Sequence, residues 1–557
     1  MRRLLWAAAF ALAGFASAQT PTLLDILTAE LDRNFHALKE KGDPPPYFLA
    51  YAVWDTETHL LSASLGVLEA RSANRSRVLD VTVRVGTPQL DNYRRLAGDR
   101  PRFAGAVALP LDDIPAPIKR IAWLETDRIY REAVQRLIRV RTSAQVKPAE
   151  EDPSPDFSSE RPEQYLEAPS PLRFSPELFE DRIRRWSAAL SRPRHVLASN
   201  VTFWAQQETK YFTSSEGSRL QHNRALARIV LSARGRAADG MELTIGETFE
   251  AETPERLPGD KIVLQAIERL TRNLAALEKA PEAEPFAGPA ILSGRAAGVF
   301  FHEIFGHRIE GHRQKDETEG QTFAKSLGLQ VLPPFLSVIY DPTRRSLNGV
   351  DLNGYYLYDD EGVKARPVVV VENGILKTFL MSRSPVRGVE RSNGHGRRQP
   401  GFEVVSRQSN LIVESSRRVP ESRLRQMLLE EIRRQNKPYG LFFEEVTGGF
   451  TQTGRRGVQA FAVIPILVYR VYPDGRQELV RGADIVGTPL ASFSNIVATG
   501  DKLEVFNGFC GAESGSIPVA SVAPALLVSE IEIQKREKSQ DRPPLLPRPD
   551  LTPLETP

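Results

Sequence analysis

Seven consecutive residues, Phe301-His302-Glu303-Ile304-Phe305-Gly306-His307, bring two of the chain's eight histidines and a carboxylate together. Imidazoles bind transition metals and a neighbouring carboxylate takes protons from water, so this stretch has the groups for hydrolytic chemistry. Zinc sites on helices commonly read H-E-x-x-H, with the histidines four residues apart on one face. Here the spacing is five. At 3.6 residues per turn, five residues rotate ~500°, which leaves the rings ~140° apart on a regular α-helix. The spacing therefore predicts an irregular helix, through a π-bulge or through loosening or termination at Gly306. Glu303, next to His302, points partly away from a shared metal and is better placed as a general base on water than as a ligand.

The elements around this stretch explain how it would be held. Ser293 is a good N-cap, and residues 295–305 are small or apolar without a proline, which predicts a buried helix. Two histidines and a glutamate in such a helix are costly unless something satisfies them. The single cysteine, Cys510, can form no internal disulfide, and it is followed by Gly511 in a Gly- and Ser-containing loop rather than an apolar run. It is either a buried inert thiol or a thiolate held by a metal. Sulfur with imidazoles favours zinc, without excluding iron or cobalt. Glu310 and His312 are rival ligands. Glu310 is alternatively a partner that orients a ligating imidazole, and His312 opens a polar run, 313–320, that reads as a mobile loop or lid.

Residues 1–18 start with Arg2-Arg3, continue through an apolar run and end Ala16-Ser17-Ala18, the pattern of a cleavable secretory signal peptide. An exported protein, periplasmic or extracellular, without a membrane span after cleavage is expected. Losing Arg2 and Arg3 takes the basic count from 73 to 71 against 70 acids, too even a balance for a general nucleic-acid binder. About 540 remaining residues call for two domains. The pattern predicts an N-terminal α/β domain over 19–285, with a mixed sheet and helices at 22–35, 116–141, 175 onward and 260–277. The 116–141 helix is expected to turn Ile121, Leu124, Ile129, Val134, Leu137 and Ile138 toward a core. Residues 147–171, rich in Pro, Glu and Ser, read as an exposed connection, and 215–218 as a hairpin turn without chemistry. A strand-rich C-terminal domain over 286–536 carries the metal helix, and 537–557 reads as a disordered Pro-rich tail. Ser392-Asn393-Gly394-His395-Gly396-Arg397-Arg398 is a further candidate, with Asn393, His395 and Arg397 positioned to hold a peptide backbone or carboxylate.

Several of these stretches resemble one family. The run from Gly288-Pro289-Ala290-Ile291-Leu292 through Arg295-Ala296-Ala297, His302-Glu303, Gly306-His307 and Glu310-Gly311 is similar to the TldD/PmbA zinc metallopeptidases. So are Asp359-Asp360-Glu361-Gly362, Glu372-Asn373-Gly374-Ile375-Leu376-Lys377, the 392–398 segment, Ser215-Glu216-Gly217-Ser218 upstream, and Cys510-Gly511 with Pro518-Val519 near the end. The resemblance spans roughly 22–534. It implies one zinc per chain on His302, His307 and Cys510, as in the active TldD branch, and a barrel-like C-terminal domain in an α+β fold. It also implies short or unfolded peptides as substrates, and a homodimer or a heterodimer with a related subunit. Zinc hydrolysis of a non-peptide amide, or peptide binding without catalysis, are the alternative functions.

Overall fold

The computed structural model describes residues 21–96, 105–146, 152–455, 460–487 and 489–538, together with 544, 546 and 549. The expected signal peptide and nearly all of the expected tail lie outside these residues. The fold is α+β, built on two large sheets. Among the described residues no helix is long and apolar enough to cross a membrane.

The N-terminal sheet has four long antiparallel strands, Val67–Thr87, Pro46–Ser64, Ala198–Ser214 and Arg219–Arg236, side by side in that order. Alternation of side chains along these strands decides what covers each face. Odd-numbered Leu49, Tyr51 and Val53 pack under helices Leu23–Lys41 and Pro115–Val146. Further along the same face, Leu61, Val201 and Phe203 pack under Pro176–Ser191 and Asp260–Lys279. Even-numbered Phe48, Ala50, Ala52 and Trp54 form a separate cluster on the other face with Phe157, Phe212 and Tyr358, and so dock the sheet onto the C-terminal half.

Two sequence expectations are corrected here. On Pro115–Val146 the buried stripe runs Ile118, Ala122, Ile129, Ala133, Leu137, Val140, whereas Leu124 and Ile138 fall off this helical period and are 52% and 62% exposed. Within the described part of the 147–171 connection, residues 152–158 are docked, whereas 159–171 are exposed or half-buried. Asp152, Asp156, Phe157 and Ser158 are buried, and Gln164–Leu166 adds a parallel strand beside residues 219–221. Its polar groups are used: Ser158 O accepts from Arg383 Nη2 at 2.6 Å, and Lys315 Nζ donates to Ser154 O at 2.7 Å.

The C-terminal sheet contains a closed ring of five strands. Phe286–Leu292 pairs with Gly440–Thr451, which pairs with Phe461–Val471, then Ala483–Gly487, then Gly515–Lys535, which returns to Phe286–Leu292. Gly515–Lys535 also forms a long hairpin with Ile496–Ala512. Against this hairpin and against Gly440–Thr451 lies the helix Gly294–Ile304, buried along almost its whole length. Its small residues allow the close approach. A Cβ on Gly294 would stand 2.5 Å from Ala523 O, and one on Gly298 3.1 Å from Ser521 Cβ. Phe301 anchors the apolar side, fully buried with its ring 5.8 Å from Phe493. Phe301→Ala is expected to cost about 3–5 kcal/mol of stability, measured by denaturant unfolding; a loss below about 1 kcal/mol would show that this anchor is not needed.

Candidate metal centre

Ser293 Oγ accepts the Ala296 N–H at 3.1 Å and starts the helix; the helix stops at Ile304. There the chain tightens into a 3₁₀ turn, Gly306–Ile309, and His307 leaves from it. Of the two irregularities that the five-residue spacing allows, the structure uses termination. The His302 and His307 rings now stand 5.1 Å apart at 87°. Gly306 is required for contact rather than for unusual backbone angles: a Cβ there would lie 2.0 Å from Gln408 Oε1. The third group comes from the far end of the chain. Cys510, near the end of Ile496–Ala512, puts Sγ 3.2 Å from His302 Nε2 and 3.3 Å from His307 Nε2.

These three groups are the cluster among the described residues that could hold a metal, with all ligand atoms within 4.8 Å of one another. Zinc bonds of about 2.0–2.1 Å to nitrogen and about 2.3 Å to sulfur at tetrahedral angles separate such donors by roughly 3.5 Å. The observed spacings lie a few tenths of an ångström inside that, and the donor set of one sulfur and two imidazoles suits a soft divalent ion. Electrostatics agree with a deprotonated sulfur. Burial opposes a charge on Cys510, yet His307 and His302 beside it hold the thiol well below its ordinary range. Burial likewise disfavours charge on His307, but Cys510 and Glu310 together raise it well above an ordinary imidazole.

A second ring of charge fixes the ligands. Glu310 is fully buried, with Oε2 3.4 Å from His307 Nδ1 and accepting from Arg313 Nε at 2.8 Å. Burial would raise its carboxyl, but His307 and Arg313 hold it down at about 2, so it stays ionised and orients the imidazole. Arg407 ties this carboxylate to the Cys510 strand, with Nε 3.5 Å from Glu310 Oε1 and Nη2 donating to Cys510 O at 2.7 Å. Arg313 also donates to Glu319 and Glu513, each at 2.8 Å. The run after His312 is therefore clamped by buried ion pairs, contrary to the expected loose loop. His312 itself turns away from the cluster and pairs with Glu513.

Glu303, one residue from His302, faces the same space. Burial pushes its carboxyl up, against His302 and His307, which pull it down. A Cβ on Gly449 would approach Glu303 Cγ to 2.7 Å, so the glycine makes room for this side chain. His302, Glu303, His307 and Cys510 all line one cleft of about 1630 Å³. Its opposite wall comes from the N-terminal strands Arg219–Arg236 and Glu242–Ala251, with Arg228 and Glu250 among its residues.

The other predicted contacts are not in this cleft. His395 is fully buried, with Nδ1 3.2 Å from Asn393 Oδ1 and Nε2 3.1 Å from Ser409 Oγ. Asn393 spans Phe379 O and Met381 N–H, each at 2.8 Å, and Arg397 donates to Gln408 O at 2.6 Å while stacking over Tyr356. All three knit the loop beneath the site, and the reading of them as substrate contacts is corrected. Sequence reasoning missed Arg407, Gln408, Glu513 and Gly449. Nothing in a polar run such as Ser406-Arg407-Gln408-Ser409-Asn410 signals that every member is wholly buried.

A C-terminal ring of strands, a buried helix and a His/His/Cys cluster define the class, and comparison with known proteins agrees. Residues 287–535 match the PmbA/TldA metallopeptidase C-terminal domain. Over these residues the chain is similar to the TldD/PmbA family of metallopeptidases. A metalloprotease of Methanothermobacter thermautotrophicus is 28% identical over 339 residues, 59% of this chain and 68% of the relative. One of Methanocaldococcus jannaschii is 30% identical over 319 residues, 56% of this chain and 64% of the relative. Among solved structures, TldE from Thermococcus kodakarensis has a similar fold, with a TM-score of 0.58 at 16% identity over 90% of this chain and all of that one.

Protein purified without chelator is expected to carry about one soft metal ion per chain, and Cys510→Ala markedly less, by elemental analysis. Equal metal in both would remove Cys510 from the ligand set.

Proposed function

We propose that this chain is a zinc-dependent peptidase acting on short or unfolded peptides, with Glu303 as general base. The observation that carries the reading is the convergence of His302, His307 and Cys510 on one point of a cleft that Glu303 also lines. Three protein ligands leave a fourth position open, the pattern of catalytic rather than structural zinc. His302 Nε2, His307 Nε2 and Cys510 Sγ would hold the zinc, which would supply Lewis acidity toward the scissile carbonyl and toward water.

The chain's own residues do the rest. Glu303 takes the proton of the attacking water and passes it to the leaving amine, a role that a carboxyl raised by burial suits. Glu310 accepts from His307 Nδ1–H and so fixes the neutral imidazole with Nε2 free to ligate. The strand Gly440–Thr451 is paired with Phe286–Leu292 only through residues 441–443, so its 446–450 backbone has a strand partner on one side only among the described residues. This free edge lies in the cleft beside Glu303 and can accept the backbone of an extended peptide. A folded domain cannot present such a backbone at a carboxylate that is only 7% exposed. Export and the pairing of two related subunits belong to the same reading.

Glu303→Gln is expected to retain metal and to lose peptide hydrolysis by about 10²–10⁴-fold. Substantial turnover in that variant would remove Glu303 from the reaction. Glu310→Gln touches no substrate and is expected to weaken metal affinity by about 10–100-fold, read by competition with a chromogenic chelator. Unchanged affinity would mean that the ring of charge around His307 is structural only.

A further inference from the structure

A strand edge recognises backbone, which every peptide has, so the edge at residues 446–450 offers affinity without choice. Choice among peptides falls to what the cleft presents to their side chains. Charge is a weak selector here. The arginines that line the cleft are each matched by a carboxylate, Arg228 by Glu250 at 2.6 Å and Arg295 by Glu445 at 3.2 Å among them, so a charged side chain would have to break an existing pair. The apolar residues are placed differently. Among the described residues two phenylalanines are exposed, Phe450 at 56% and Phe509 at 41%, and both line this cleft. Ile262 and Val350, also exposed, line it too. Large apolar groups gathered open in one concave site, with paired charges around them, mark a surface that receives something apolar.

Both rings belong to the elements that hold the centre. Phe450 follows Gly449, whose missing Cβ makes room for Glu303, and Phe509 precedes Cys510. Their strands, Gly440–Thr451 and Ile496–Ala512, both pack against the helix that carries His302 and Glu303. Phe450 lies on the free edge itself. An extended peptide paired with that edge sets a side chain abreast of each strand residue, so one of them meets Phe450 close to the bond that Glu303 serves. Arg228, already held by Glu250, lies over the Phe509 ring 5.0 Å from its centre and steadies it toward the N-terminal wall of the cleft. We propose, on the peptidase reading above, that the cleft selects peptides by large apolar side chains, aromatic above all, one seated against Phe450 and another against Phe509. Folded proteins bury such side chains and unfolded chains expose them, so this preference directs the site to unfolded segments by their composition as well as by their free backbone.

Two fluorescein-labelled peptides, identical except that one carries phenylalanine where the other carries serine, test it on the full, zinc-loaded chain. In Glu303→Gln, where substrate is held without turnover, the phenylalanine peptide is expected to bind about tenfold more tightly by fluorescence anisotropy. In the wild type its kcat/KM is expected to be about tenfold higher than that of the serine peptide. Adding Phe450→Ala or Phe509→Ala is expected to shrink both ratios to within about threefold. Equal binding of the two peptides, binding of neither, or a preference unchanged by both substitutions overturns the proposal. Hydrolysis of both peptides at equal kcat/KM overturns it too, and leaves the peptidase reading standing. A binding preference that depends on Phe450 and Phe509, without hydrolysis by the wild type, removes the peptidase reading and keeps the selection. Should Phe509→Ala lose metal or fail to fold, Phe450→Ala decides, since that residue is more than half exposed.

Discussion

A buried cysteine between two imidazoles is the arrangement on which the rest of the C-terminal half depends. Charge in such a place is expensive unless its partners are fixed and are themselves satisfied. The structure meets that demand by layers. Cys510 faces His302 and His307; Glu310 faces His307; Arg313 and Arg407 face Glu310; and Glu319, Glu513 and the Cys510 carbonyl take up the outer guanidinium protons. Each layer alternates in sign, so no charge is left without a neighbour of the opposite kind. Glu303 is the exception among the buried acids near the centre. Burial raises both carboxyls, but at Glu303 it outweighs His302 and His307, whereas at Glu310 His307 and Arg313 prevail and hold the group ionised.

The two sheets are held together by the apolar cluster around Phe48, Trp54, Phe157 and Tyr358 and by a small number of buried polar contacts. Arg383, almost wholly buried, grips both carboxylate oxygens of Glu216 at 2.7 and 2.8 Å and the carbonyl of Ser158. Lys210 on the N-terminal sheet pairs with Asp360 on the C-terminal side. A bidentate pair fixes orientation as well as distance, and a buried one does so without competition from water. The turn carrying Glu216 is thus a docking element, not a bare hairpin connection. The same holds for residues 152–158, which dock through the Phe157 ring, the Asp152 and Asp156 carboxylates and the Ser154 and Ser158 carbonyls.

Much of this was legible in the sequence, and the reasons are physical. Long amphipathic periods placed most helices, since Asp260–Lys279 and Leu23–Lys41 bury one stripe each. The clustering of His302, His307 and Cys510 was legible because histidine and cysteine are rare and costly in apolar surroundings. What escaped was whatever depends on tertiary burial of ordinary polar residues. His395 and Arg397 read as exposed recognition groups because glycine and arginine surround them, yet they satisfy buried carbonyls and hydroxyls. Arg313 read as part of a mobile run because its three acidic partners lie up to two hundred residues away. Local composition reports what a residue needs, and only the fold shows who supplies it.

The five-residue histidine spacing makes sense as a packing solution. A regular helix carrying H-E-x-x-H directs both imidazoles and the metal off one face, so the third ligand must approach that face from the side. Here the helix is embedded between a hairpin and a ring strand, with glycines at 294 and 298 admitting backbone on one side and Gly449 admitting the Glu303 side chain on the other. A continuing helix would drive the turn after Ile304 into Gln408, which already approaches Gly306 as closely as a glycine permits. Ending the helix and tightening to a 3₁₀ turn releases that clash and swings His307 back across the helix end, where it meets Cys510 from the hairpin. The extra residue is the length of chain needed to round the helix terminus. The spacing thus follows from how deeply the helix is buried, and the depth in turn leaves His302, Glu303, His307 and Cys510 lining the cleft.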